Sequence, residues 1–498
     1  MSTASYLPRQ RRVSNSSAIA FNLIFLSFCS ILVLLVAAAV LNLTPLILLI
    51  MGLLASYETL HGAVLLMLGH QAIRMAQRHR SMMSSEIETV VATKTATKEA
   101  PELPSFAIIV PAWNEARALP RTLDTILTQS IQPDLILVAD DGSTDDTIAT
   151  LTDLYELEFQ GNMGYSQRYP HLRVLQKEHS GKADSMNQAL AYLSSANTAI
   201  PATVTSAPVA MASSPVDIVQ FLDADTQLLP GSLAAMIQSF HHHPHLTAVG
   251  GVLLPRCASK TRRGRLFEFA QRYEYARMHL WRMVWSRFNS SLIVSGACSA
   301  FRRDALEAIG GFRAESWAED YDVMFRLHRY WRSLYRPCHV RVEPNLKVYT
   351  DAPDNLLAFL RQRRRWTGGF LETMFKYRSM VGNSRYGVLG LVYLLHNTSI
   401  MPMQPFFFVA SLLTGLILWG QNAALPSFVF WIALGKGLID VTIRLAGIRL
   451  YRQYFQYREV SLLGGSLDGF VGALPMMILS QISHTWGWIS CWYRQSKW

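Results

Sequence analysis

Apolar residues group at two scales in this chain: long runs lie toward both ends, and short runs alternate with helix-period stretches between them. No charged residue occurs from Val13 to Tyr57, more than a buried core helix needs and enough for most of two membrane spans. Asn42 to Pro45 divides the run. Thr44 can cap a helix whose first turn holds Pro45, which predicts spans from about Ile19 to Leu41 and from about Leu46 to Leu68. A signal peptide is the alternative, but its apolar region would be shorter and no second span would follow at once. Apolar runs return at about Val388 to Trp419, Phe428 to Ile448 and Leu467 to Ile489, read as three further spans. Pro402 and Pro405 break the first of these. Lys436, Asp440 and Arg444 lie in the second, facing a bundle interior or marking the solvated end of a shorter span.

Between the runs, Phe106 to Val110, Leu135 to Val138, Val219 to Leu222 and Ala248 to Val252 have strand length and apolar character. They alternate with helix-period stretches at Ala116 to Gln129, Thr144 to Leu157, Lys182 to Leu193 and Ser232 to Phe240. That alternation predicts an α/β sheet of parallel strands whose ligands bind at the carboxyl ends. Residues 81–104 form a polar linker, and Leu193 to Pro215, rich in Ala, Ser, Thr and Pro, a surface insertion.

Composition changes this picture in one respect. The net charge of +11 could suit nucleic acid, yet the basic residues cluster beside apolar runs and no nucleic-acid-binding signature is present. Arg9, Arg11 and Arg12 before the first pair of spans, and Arg74, Arg78 and Arg80 after it, place both flanks and the following domain in the cytoplasm. The five cysteines have no paired spacing, so neither a zinc site nor a disulfide framework is indicated.

Candidate chemistry collects at predicted strand ends. The first strand ends in Pro111-Ala112-Trp113-Asn114-Glu115 and the second in Asp140-Asp141-Gly142-Ser143-Thr144-Asp145. Asp140 can accept hydrogen bonds from a uracil or ribose, although Asp-Gly-Ser-Thr is also ordinary turn chemistry. Asp223-Ala224-Asp225 follows an apolar strand, and two carboxylates so spaced can reach one hard cation completed by phosphates and water. Glu319 and Asp320 open a helix, where Asp320 can act as a general base or the pair can be first-turn acidic bias. Lys182 opens another helix near the phosphates, and Ser295 to Ser299 is small enough to floor a sugar pocket. Gln362-Arg363-Arg364-Arg365-Trp366 offers guanidinium forks for pyrophosphate and an indole face for a sugar ring, or a basic turn on a membrane surface.

Taken together, PAWNE, DDGSTDD, GKADSMN, DAD, GACSAFRR, AED and QRRRW resemble the processive family-2 glycosyltransferases. That group holds the cellulose, hyaluronan, chitin and poly-N-acetylglucosamine synthases, and the resemblance covers about Ser105 to Phe375. It implies a GT-A fold, an inverting mechanism, a UDP-sugar donor and Mg²⁺ or Mn²⁺. By resemblance, Asp140 and Asp141 contact the uridine, Asp223 and Asp225 serve metal and diphosphate, and Asp320 is the base. Gln362, Arg365 and Trp366 match the positions that hold pyrophosphate and acceptor sugar. Lys182 and Glu319 complete the expected substrate-binding set. One departure adjoins the base: Ala318 stands where many members have Thr.

The expected organisation is a membrane region over residues 1–80, the linker, a GT-A (Rossmann-like) domain over 105–352, an interfacial helix over 353–385 and a membrane region over 386–498. Within 354–377 that helix is expected to be amphipathic and interrupted near Gly368 and Gly369. Two spans before and three after suit poly-N-acetylglucosamine synthases, so the expected product is a β-linked polysaccharide. N-acetylglucosamine is the preferred sugar and glucose the next. The expected partners are the UDP-sugar, the growing polysaccharide, a lipid bilayer and a small membrane or export subunit, with no nucleic acid. Transfer of one sugar to a lipid acceptor, or an inactive membrane receptor or scaffold, are the rival readings.

Overall fold

The computed structural model describes residues 103–194, 216–259, 261–400, 425–456 and 460–461, with residue 41 and positions within 59–74 and 479–490. The chain divides into two compact units, one holding Gly62–Gln362 and Asp440–Met477, the other Met1–His61, Arg363–Ile439 and Ile478–Trp498.

The first unit is built on a ten-stranded sheet in the order β3-β4-β5-β2-β1-β6-β9-β8-β10-β7. Its centre is β1 (Phe106–Ala112), buried along its whole length. Such a continuous apolar strand is covered on both faces. It pairs in parallel with β2 (Leu135–Asp140) and with β6 (Ile218–Leu222), and β2 pairs in parallel with β5 (Leu172–Gln176). Between these strands run α1 (Leu119–Leu127), α2 (Thr147–Tyr155) and α3 (Lys182–Ser194). α1 starts at a proline-bearing first turn and buries Leu119, Leu123 and Ile126, one stripe at helical spacing. The hairpin β3 (Leu157–Gln160) and β4 (Met163–Ser166) extends the sheet beyond β5.

The expected strands and helices are all present, but the sheet is mixed rather than parallel. β7 (Gln227–Leu228) and α4 (Ser232–His242) lead to β8 (Leu246–Arg256), and the long α5 (Arg262–Arg287) follows. The chain then enters β9 (Cys298–Arg302), which lies between β6 and β8 and is antiparallel to both. The physical reason is the return path: α5 ends beside the start of β10, with Asn289 Oδ1 2.9 Å from His339 Nδ1, and residues 288–297 carry the chain to the other end of the sheet, where Ala297 O accepts from Asp223 N, so β9 starts beside the end of β6 and runs the opposite way. After α6 (Arg303–Ala308) and α7 (Glu319–Ser333), β10 (His339–Asp351) pairs in parallel with β8 and antiparallel with β7.

Two apolar clusters hold this unit. One packs Ala107, Ile109, Leu137, Val219 and Phe221 against Met186 and Leu190 of α3 and against Phe301, Phe312 and Met324. Fully burying each of these larger side chains stabilises by roughly 1.5–3 kcal/mol. The other joins Val252, Leu254 and Val342 of the sheet to Tyr273, Ala276 and Met283 of α5, and to Ile448, Tyr451, Tyr454 and Phe455.

α8 (Leu356–Lys376), α9 (Leu395–Ile400) and α10 (Leu425–Phe455) follow, with 3₁₀ turns at Arg378–Met380 and Ser384–Tyr386 and a π-helical stretch at Leu389–Leu394. α8 runs without a break through Gly368 and Gly369, contrary to the expected interruption. Thr373 Oγ1 donates to the Gly369 carbonyl at 2.7 Å, and a Cβ on Gly487 would come within 3.1 Å of Gly368 N. The glycines therefore admit a close neighbour rather than end the helix. Among the described residues no helix is long and apolar enough to cross a membrane. The run Phe428 to Ile448 falls within α10, where Lys436, Asp440 and Arg444 follow one another at four-residue intervals on one face. The expected span Ile19 to Leu41 lies outside the described residues except for Leu41, and most of Leu467 to Ile489 and the insertion over 195–215 lie outside them too.

Candidate active site

The turns after β1 and β2 are laced together. Asn114 adopts φ 59°, a conformation asparagine tolerates better than most residues. Its side-chain carbonyl accepts from Thr144 N at 2.8 Å, Ser143 Oγ accepts from Asn114 N at 2.9 Å, and Thr147 Oγ1 accepts from Glu115 N at 2.9 Å. Asp140 ends β2 at 2% exposure, with Oδ2 accepting from Ser143 N at 3.3 Å. Its Oδ1 is buried and has no hydrogen-bond partner among the described residues. Burial holds this carboxyl above its usual range despite the contacts from Ser143.

Asp141 is also buried, yet both of its oxygens are engaged. It accepts from Lys177 Nζ, from Ser180 N at 2.9 Å and from Gly181 N at 2.8 Å. Burial alone would raise its pKa, but the bond from Lys177 and the two backbone donors together lower it. Asp141 thus fastens the loop before α3. A Cβ at Gly142, where φ is 69°, would stand 2.9 Å from His179 N, so this packing requires glycine. Trp113, half exposed, packs its ring on that of His179 with centroids 4.8 Å apart.

Lys182, the first residue of α3, joins the two halves of the site. Its Nζ lies 2.6 Å from Asp223 Oδ1 and 3.2 Å from Glu319 Oε1. Burial would lower its pKa, but the charges of Asp223 and Glu319 outweigh that and raise it. Asp320 Oδ2 accepts from Gly296 N at 3.3 Å, and a Cβ built on Gly296 would stand 3.5 Å from both Glu319 Oε1 and Lys182 Nζ. The small segment Ser295 to Ser299 therefore lies against the acids of α7. Burial and then the Glu319 charge raise Asp320, with Lys182 opposing.

Asp225 is pushed up to about 7, first by burial and then by the charges of Asp223, Asp351 and Glu115. Glu115 is raised by burial, Asp223 and Asp351, and Asp351 by burial. Asp351 was not singled out in the sequence. It ends β10, whose antiparallel ladder with β7 pairs Tyr349 with Gln227 and so continues toward Asp225. Arg282 of α5, likewise missed, bears on Asp320 as a weaker favourable charge. Among the described residues no three His, Cys, Asp or Glu side chains form a preassembled metal cluster. Asp223 and Asp225 still fit a divalent cation, because crowded carboxylates that resist ionisation are relieved by one and substrate phosphate can complete its shell.

On α8, Gln362 and Trp366 are half-buried, Arg365 is exposed and Arg363 is buried. Arg363, outside the expected set, stands with its guanidinium 4.2 Å from the Trp366 ring centroid. Arg364 stacks on Trp486 at 4.7 Å and donates from Nε to Ser490 Oγ at 2.8 Å.

The family described as "Glycosyltransferase like family 2" matches residues 104–369, more than half of the 498 residues. The chain belongs to this family. It is a glycosyltransferase, and its sheet and helices are an α/β, GT-A-like fold. Among similar curated proteins, the poly-beta-1,6-N-acetyl-D-glucosamine synthase of Staphylococcus aureus (strain COL) is 24% identical over 277 residues, covering 55% of this chain and 57% of that protein. The synthase of the same name from Staphylococcus epidermidis is 23% identical over 276 residues, with the same coverage. The chain thus spans a little over half the length of these relatives. A solved structure, a mannosyltransferase from Pyrobaculum calidifontis in complex with GDP-Man and Mn2+, is similar at 19% identity and a TM-score of 0.46, covering 81% of this chain and 99% of that one.

Proposed function

We propose that this glycosyltransferase extends a β-linked polysaccharide from a UDP-sugar, UDP-N-acetylglucosamine before UDP-glucose, and passes it into a membrane that the apolar runs cross. One observation carries the reading: Lys182 bridges Asp223 on the strand side and Glu319 on the α7 side, next to Asp320. Donor diphosphate beside the DAD turn would then have the candidate base within one side chain's reach of its sugar.

In this mechanism the unpartnered Asp140 Oδ1 accepts from an N–H of the uracil. Asp320 takes the proton of an acceptor hydroxyl as that oxygen bonds to the anomeric carbon. The bond from that carbon to the diphosphate oxygen breaks on the opposite face, and its electron pair leaves with UDP, so an α-linked donor gives a β-linked product. A divalent cation held by Asp223 and Asp225 would neutralise the departing diphosphate. Lys182 would exchange part of its contact with Asp223 for phosphate oxygens. Trp366 supports the terminal sugar of the chain by its ring, a contact tolerant of advance because each sugar offers a similar apolar face.

The test is to incubate membranes containing the full chain with labelled UDP-N-acetylglucosamine or UDP-glucose and Mg²⁺ or Mn²⁺, then size the product. Long, β-linked, EDTA-sensitive polymer is expected. A single labelled sugar on lipid would replace the polymer reading with the lipid-acceptor one, and full activity in EDTA would remove the metal.

A further inference from the structure

We infer that the amino-terminal end of α5, together with the first turns of α8, forms a docking face for anionic lipid headgroups. This rests on the membrane reading above but concerns the sheet-bearing unit, not the spans. On α5, Arg262, Arg263, Arg265 and Leu266 are all exposed, Leu266 at 62%. On α8, Leu356 and Leu357 are exposed at 47% and 51%, and Arg361 beside them is exposed too.

The same pairing recurs on the two helices. Arg262 and Leu266 are four residues apart on one face of α5, and Leu357 and Arg361 are four apart on one face of α8. The two helix starts are fixed to each other: Phe267 and Phe359 pack with centroids 5.8 Å apart, and Pro353 O accepts from Gln271 Nε2 at 2.8 Å. Asp354 accepts from Ser259 N at 3.2 Å, which ties the loops that precede them.

The charge is one-sided. Glu268 is committed to Arg272 and to Cys257 N, and Asp354 to Ser259 N and Asn355 Nδ2, whereas the four exposed arginines make no salt bridge among the described residues. Apolar side chains set between unpaired cations match a layer of acidic headgroups over acyl chains, since leucines can enter while guanidinium groups remain with phosphate. Continuity with the apolar runs favours lipid over a protein partner. Farther along α5, His279 stacks on Tyr451 of α10 at 6.2 Å, and a Cβ on Gly69 would meet Val284 at 3.6 Å. The helix therefore rests on the segments that leave the runs Leu46 to Leu68 and Phe428 to Ile448.

The experiment places a nitroxide spin label at Leu266→Cys in the full chain carrying Cys29→Ser and Cys491→Ser. The protein is reconstituted in phosphatidylcholine vesicles with or without phosphatidylglycerol. A second label at Leu154→Cys, on exposed Leu154 of α2, serves as the water-facing control. The Leu266 label is expected to collide more with oxygen than with a nickel chelate when phosphatidylglycerol is present, and the Leu154 label the reverse. Each of Arg262→Glu, Arg263→Glu and Arg265→Glu should weaken this insertion by roughly fivefold. A Leu266 label as nickel-accessible as the Leu154 label in both vesicles overturns the proposal, and so does insertion indifferent to phosphatidylglycerol. A label shielded from both colliders would mean that protein covers the face, which also overturns it. Carbonate extraction reports separately on the spans: a chain released by carbonate removes the spanning reading, while binding of the released chain to the same vesicles still scores the face.

Discussion

Asp141 and Asp225 stand at the same edge of one sheet, both largely withdrawn from water, and their surroundings are opposite. Around Asp141 the chain supplies Lys177 and two backbone N–H donors, and the carboxyl is held below its usual range. Around Asp225 it supplies more carboxylates, and the carboxyl rises to about 7. The first carboxyl is fully partnered within the protein, whereas the second is crowded by like charges. On the proposed reading, the Asp141 turn faces a nucleotide and profits from being rigid beforehand. On the same reading, a site that binds and releases a diphosphate profits from crowded carboxylates that a cation arriving with the substrate relieves.

The largest expected effect lies on the unfinished side. Asp320→Asn removes the proton acceptor while keeping shape, so turnover should fall on the order of 10²- to 10⁴-fold with donor affinity retained. Turnover and a calorimetric donor titration measure the two separately, and unchanged turnover would take Asp320 out of the base role. Because burial raises Asp320, activity should also decline on acidification at a pH above that of an ordinary carboxylate.

On the finished side, Asp141→Ala strands Lys177 and frees the loop before α3, and should cost about 3 kcal/mol in denaturant unfolding. A carboxyl lowered in the folded state stabilises above its unfolded pKa, and that contribution disappears as pH falls through the lowered folded value. The difference between parent and Asp141→Ala should therefore be full near neutrality and vanish only in acid.

Asp225→Asn should give the smallest change and the opposite sign. Raising the folded pKa from 3.8 to about 7 penalises the metal-free protein increasingly as pH climbs between those values. In EDTA at pH 8 the Asn variant should be stabler by on the order of 1 kcal/mol, a few degrees in Tm, and the gain should shrink toward pH 5. Adding Mn²⁺ should stabilise the parent and leave the variant nearly unmoved. Equal Mn²⁺ responses would erase the contrast between the two pockets.

What could be read in the sequence follows from range. Strands such as Phe106 to Ala112 announce themselves because burial on both faces leaves a continuous apolar run, and the motifs at their ends are contiguous. Asp140 and Asp223 could be picked out for that reason, and Lys182, Glu319 and Asp320 because they open helices; the structure brings the last four together. β9 was not, since its five residues owe their direction to residues 288–297, which turn back along the sheet after a 26-residue helix. Asp351 was hidden because only the β10–β7 ladder carries it toward Asp225. Arg363 was passed over within QRRRW because all three arginines look alike in sequence, and only the turn of the helix sets one of them over Trp366.

The unbroken course of α8 through Gly368 and Gly369 bears on how a polymer could advance. The helix is continuous from Leu356 to Lys376, so it offers no joint at the glycines, which in any case lie beyond Gln362 and Trp366. On the polymer reading, a step of one sugar per cycle moves either the substrate along α8 or the glycine-bearing part of α8 itself. Crosslinking α8 to its neighbour near Gly487 would then stall stepping while leaving the first transfer intact.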